Sequence, residues 1–104
     1  MTVYHAGRMA LLRCDAPLSG GPDPESVLSQ IERGGARDVL LDATDVPWAD
    51  SEGLRWLLAL QRTLESHGHS LRVAAHADGK VWRNVVLLQT GLSLYPSVRE
   101  AWRH

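Results

Sequence analysis

A single cysteine, Cys14, stands in 104 residues, so no disulfide can close within the chain, in keeping with a reducing cytoplasm. No apolar run approaches the roughly 18 residues that a membrane span requires. Met1-Thr2-Val3-Tyr4 has neither the basic start nor the apolar stretch of a secretory signal. There is no excess of basic residues: the net charge is −1, and with it the electrostatic footprint of a nucleic-acid binder is missing. Neither G-x-G-x-x-G nor G-x-S-x-G occurs, which removes a dinucleotide loop and a hydrolase elbow. Repeats and low-complexity tracts are absent too. What is present is an ordinary soluble composition, 44% hydrophobic and 22% charged. The length suits one domain, residues 1–104, with one core.

Hydrophobic period and punctuation divide the chain in order. Thr2 to His5 reads as an edge strand turning at Gly7, and Met9 to Cys14 as a second strand. Gly20-Gly21-Pro22 marks a loop, after which Asp23 and Pro24 open a helix with Val27, Leu28 and Ile31 on one side. Gly34-Gly35 closes that helix. Val39-Leu40-Leu41 is a short apolar run flanked by charge, which predicts a buried strand. Leu71 to Ala75 is the next strand. Val81, Val85 and Leu88, joined by Trp82 and Gln89, mark a helix ending at Gly91. Leu94-Tyr95 is a last short strand, and Ser97-Val98-Arg99-Glu100 is a capping box that starts a terminal helix carrying Trp102. The pattern β-β-α-β-α-β-α-β-α predicts an α/β domain with a mixed, mostly parallel sheet of four to five strands and four helices. Helices mainly on one face and helices on both faces are each compatible with it; the second is expected if Val39-Leu40-Leu41 is fully enclosed.

The informative stretch is Asp38 to Leu64, which writes strand, loop, helix. Leu54, Leu57, Leu58 and Leu64 recur at helical spacing after Asp50-Ser51. Asp50 and Ser51 are both good N-caps, because their oxygens accept from the orphan amides of a first turn. Glu52 suits the positive end of the helix dipole. Gly53 costs about 1 kcal/mol relative to alanine there, unless something must approach the backbone closely. Arg55 can pair with Glu52 or with an acidic partner. Trp56 borders the apolar face, where it packs in the core or anchors a partner.

Competing chemistry is thinly supported. Asp42, Asp45, Asp50 and Glu52 lie close in sequence, yet the earlier strand adds only Asp15. The one lysine, Lys80, stands at a helix start, so a receiver-type phosphoaspartate lacks its partners. Asp42 and Asp45 are better read as turn and strand-end residues bonding nearby amides. His67-Gly68-His69 has no third ligand at a fixed spacing, so it predicts a solvated turn rather than a zinc site. His5, His76 and His104 are scattered, and Cys14 packs as a small hydrophobe. No catalytic residue, metal site or cofactor is expected.

The residues V-L-L-D-A-T-D-V-P-W-A-D-S-E-G-L-R-W-L-L-A-L resemble the core of STAS domains, the family of bacterial anti-anti-sigma factors (anti-sigma factor antagonists). There a hydrophobic strand leads to an Asp-Ser-x-Gly-Leu turn and a helix. The resemblance continues through L-R-V-A-A-H and V-W-R-N-V-V-L-L-Q-T-G-L. Pro17 to Gly21 does not reproduce the Gly-x-Leu-Asp turn that such factors carry at that place. The resemblance implies a STAS-like fold and a cytoplasmic, non-enzymatic regulatory module. Ser51 would be the phosphorylated residue, and Asp50, Ser51, Glu52, Gly53, Arg55 and Trp56 the partner-binding surface. The implied partner is an anti-sigma factor of the GHKL serine kinase type, with a second copy of the chain as a further candidate. The alternative is a constitutive STAS subunit of a stressosome-like assembly, or of a phospholipid-transporting ABC system, docking on the transporter ATPase through the same surface without phosphorylation. Neither reading involves nucleic acid or membrane insertion.

Overall fold

The computed structural model describes residues 1–87 and 91–103, with the side chains of residues 84–87 left aside. The strands are β1 (Thr2–Ala6), β2 (Met9–Arg13), β3 (Asp38–Asp42), β4 (Ser70–Ala74) and β5 (Ser93–Tyr95). The helices are α1 (Pro24–Arg33), α2 (Ser51–Ser66), α3 (Lys80–Leu87) and α4 (Val98–Arg103). The five strands lie in the order β1-β2-β3-β4-β5. β1 and β2 form an antiparallel hairpin through Gly7, whose φ of 60° is the left-handed conformation that a tight turn asks of glycine. The other three pairings are parallel, each bridged by a helix.

Register decides which residue faces which layer. Val39 pairs with Ala10 and Leu71, and Leu41 with Leu12 and Val73, so these side chains share one face. On that face Val27, Leu28 and Ile31 of α1, Leu54, Leu57, Leu60 and Leu64 of α2, and Val81 of α3 close the main core. Burying each such side chain stabilises the fold by about 1.5–3 kcal/mol. Leu40 points the other way, with Ala74, and Ala101 of α4 covers both. Both faces over β3 are therefore covered: three helices on one side, one short helix on the other. The mixed, mostly parallel α/β sheet expected from the sequence is the sheet observed.

Several local expectations change. Leu60 is fully buried in α2, whereas Leu58 is only half-buried. The turn at 67–69 forms, with Gly68 at φ 79°, but His69 is not solvated: its side chain is 11% exposed. Its Nδ1 lies 3.0 Å from the Arg37 carbonyl, and since a carbonyl only accepts, Nδ1 carries the hydrogen. Nε2 faces Glu32 of α1 at 3.5 Å. The expected contributions of Val85, Leu88 and Gln89 to the third helix, and the place of His104, lie outside the described residues.

Candidate functional site

The C-terminal ends of β2 and β3 run into two loops, and α2 begins where these meet. Asp50 is the N-cap of α2: its Oδ1 accepts from the Gly53 amide at 2.9 Å. Its other carboxylate oxygen accepts from the Ser19 hydroxyl. The Ser19 bond first, and then the Gly53 amide, hold the Asp50 carboxyl below the usual carboxylate range. Ser51 is consequently the first helical residue rather than the cap. It is exposed, and among the described residues its hydroxyl has no hydrogen-bond partner. Glu52 and Arg55 are exposed and pair at 2.7 Å, a bond that solvent makes weak.

Gly53 and Trp56 occupy a different place from the other four residues named from the sequence. A Cβ built on Gly53 would stand 2.0 Å from the Leu18 carbonyl oxygen, so the close approach its glycine allows is made by the chain's own loop. Trp56 is 7% exposed, and its indole N–H donates to the Pro22 carbonyl at 2.7 Å. Both residues support the surface from beneath. Asp50, Ser51, Glu52 and Arg55 form it.

The loop that brings this about is the segment 16–22 after β2. Leu18 donates its N–H to the Trp48 carbonyl at 2.9 Å and accepts from the Asp50 amide at 3.0 Å, a one-residue parallel bridge beside Ala49. Leu18 and Ser19, which touch Asp50 and Gly53, and Trp48, which holds Leu18, thus brace the start of α2, and the sequence reading passed over them. Trp48 leaves 41% of its surface exposed, two residues before the cap. The one available signal was Gly53, which pointed to a close neighbour without saying which.

The carboxylates around the site have structural duties. Asp42, 8% exposed, accepts from both the backbone N–H and the hydroxyl of Thr44, at 3.0 and 2.6 Å. Asp45 pairs with Arg13 at 3.0 Å. Among the described residues no three His, Cys, Asp or Glu side chains come together as a metal would need. Cys14 is buried and free, and burial pushes its thiol up to about 11. No described helix is long and apolar enough to cross a membrane.

No protein-family model matches this chain, and no curated protein is similar to it in sequence. Its fold, however, is one already seen. An NMR structure of the protein TM1081 superposes with a TM-score of 0.76 at 18% identity, covering 98% of this chain and 85% of the other. A crystal structure of TM1081 from Thermotoga maritima, described there as a candidate anti-sigma factor antagonist, gives 0.71 at 17% identity, over 98% and 91% of the two chains. The fold defined by the sheet and its helices is therefore STAS-like. At this identity the likeness extends to the fold.

Proposed function

We propose that the protein is a non-enzymatic regulatory binding module, an anti-anti-sigma factor that captures a serine-kinase anti-sigma factor in the bacterial cytoplasm through the first turn of α2. The observation that carries this reading is the Ser51 hydroxyl: exposed at the first helical position, and released from capping because Asp50 performs it. In the transfer, the Ser51 Oγ attacks the γ-phosphorus of the kinase's ATP, ADP leaves, and the hydroxyl proton passes to a base on the kinase. The product carries about −1.5 to −2 charges between Asp50 and Glu52. An exposed phosphate at a helix N-terminus is compatible with the fold, because the dipole favours it and solvent screens its neighbours. A partner seated there meets that charge at close range and is released.

Two measurements test the reading. Incubation of the chain with candidate kinases and ATP, followed by phosphopeptide mapping, is expected to place the phosphate on Ser51. Ser51→Asp is expected to abolish binding to the cognate kinase with the melting temperature nearly unchanged, while Ser51→Ala binds constitutively. Binding that survives in both variants would exclude a switch. It would favour the constitutive subunit of a stressosome-like or transporter assembly, a reading with which the permanent carboxylate of Glu52 at the surface is compatible.

A further inference from the structure

The two borders of the sheet are built differently. β5 is three residues long and runs straight into Pro96, which has no N–H to offer. β1, at the other border, is five residues long and pairs with β2 in unbroken register. It carries no bulge, no proline, and no acidic residue, lysine or arginine, and all of it but the half-buried Val3 is exposed. Natural sheets use such devices to blunt an edge, because bare edge amides and carbonyls pair with another chain. β1 has none of them.

The hairpin fixes which groups face outward. Ala6 and Met9 flank the two-residue turn Gly7-Arg8, so Ala6, Tyr4 and Thr2 exchange their backbone bonds with β2. The N–H and C=O of Val3 and His5 then point away from the sheet. These four groups lie symmetrically about Tyr4. A copy of β1, antiparallel and related by a two-fold axis at Tyr4, meets them all. Val3 exchanges two bonds with His5 of the second copy, and His5 two with that copy's Val3. The side chains agree with this register. Tyr4 shares its face of the sheet with Leu11 and Leu40, yet it stands outside the cluster that α4 covers and is 51% exposed. On the axis it meets its own copy as an aromatic cross-strand pair. A charge at the centre of the strand would there meet its like, and β1 has none.

We propose that the protein forms a two-fold dimer of itself by pairing β1 edge to edge, so that one sheet runs through both copies. Five residues a side are far fewer than the roughly 20–30 of a standard stable interface, so the dimer exchanges and forms only at high concentration. None of these residues belongs to the start of α2, and the dimer is independent of the docking reading above.

Sedimentation equilibrium between about 5 µM and about 1 mM is expected to show the mass rising from the chain's 11.5 kDa towards twice that value. A monomer throughout overturns the proposal. Tyr4→Lys and Tyr4→Glu each set like charges across the axis and are expected to weaken association at least tenfold, whereas their equimolar mixture restores it. Association that survives in each charged variant alone overturns the seam. Where either variant fails to fold by circular dichroism, crosslinking decides. In a Cys14→Ala background, Tyr4→Cys is expected to form a disulfide between copies under mild oxidant at least tenfold faster than Thr2→Cys. The two copies of position 2 lie about 13 Å apart along the seam, beyond the reach of a disulfide. Equal rates would mean that the copies meet in another way, and they overturn the proposal.

Discussion

Helices α1 and α2 lie in the same layer and begin with the same residue type at the cap, yet the two starts are built differently. At α1, Asp23 makes no side-chain capping bond and Pro24 follows it, a residue whose fixed φ suits the first helical position and which offers no reactive group. At α2, Asp50 binds the Gly53 amide and Ser19 together, and a serine takes the first position. The α1 start is a turn of chain and little else. The α2 start is bolted to a loop some thirty residues away in sequence, and the bolt leaves its hydroxyl free. Identical capping letters thus conceal one structural terminus and one presented surface.

The comparison breaks most visibly at the third helical position. Gly53→Ala forces a methyl into the Leu18 carbonyl, so we expect a loss of about 2–3 kcal/mol, the upper part of the overpacking range, read as a lowered urea midpoint. The matched change in α1, Ser26→Ala, is at an exposed site and should stay within about 0.5 kcal/mol. Equal losses would mean that loop contact does not distinguish the two starts.

The caps come next. Asp50→Ala should lower the melting temperature by a few degrees and Asp23→Ala by much less, because only the first removes side-chain bonds. The pH dependence sharpens this. The folded-state pKa of Asp50 is depressed, so its contribution is present above the unfolded aspartate value of about 3.9 and lost as pH falls through the lower folded value. Thermal melts between pH 5 and pH 2 should converge for wild type and Asp50→Asn at the acid end. A gap of constant size would show that the cap acts without its charge.

The smallest effect is expected at the first helical position. Ser51→Ala should be neutral in stability within about 0.5 kcal/mol, since the hydroxyl bonds to nothing in the described residues. Pro24→Ala should cost about 0.4–1 kcal/mol through the freer unfolded chain. A destabilised Ser51→Ala would reveal a structural duty for that hydroxyl.

The order of strands and helices was legible in the sequence because their periods differ: Val39-Leu40-Leu41 is too short for a helix, and Leu54, Leu57 and Leu64 are spaced by one and two helical turns. The strand-to-helix junction at Asp50-Ser51 was legible for the same reason. The loop against that junction was not. Leu18 is held by backbone groups of Trp48 and Asp50, and backbone hydrogen bonds across thirty residues leave no mark on side-chain pattern. The sequence pattern alone does not assign Trp56 to core or interface, because its inward position depends on Pro22 and Gly21 covering it, again a contact distant in sequence. His69 was read as solvated for the complementary reason: its neighbours Glu32 and Arg37 come from another helix end.

Because the strands stand side by side in the order in which they are made, each newly synthesised strand finds its place at an open border and never has to wedge between two others. A nascent chain emerging as far as Ser66 already holds every residue of the Ser51 surface. Leu40, however, stays bare on its far side until Ala101 arrives at the end of synthesis. Premature termination before Val98 would therefore yield a chain whose α2 start is complete but whose far sheet face is bare, folded in front and prone to clump behind.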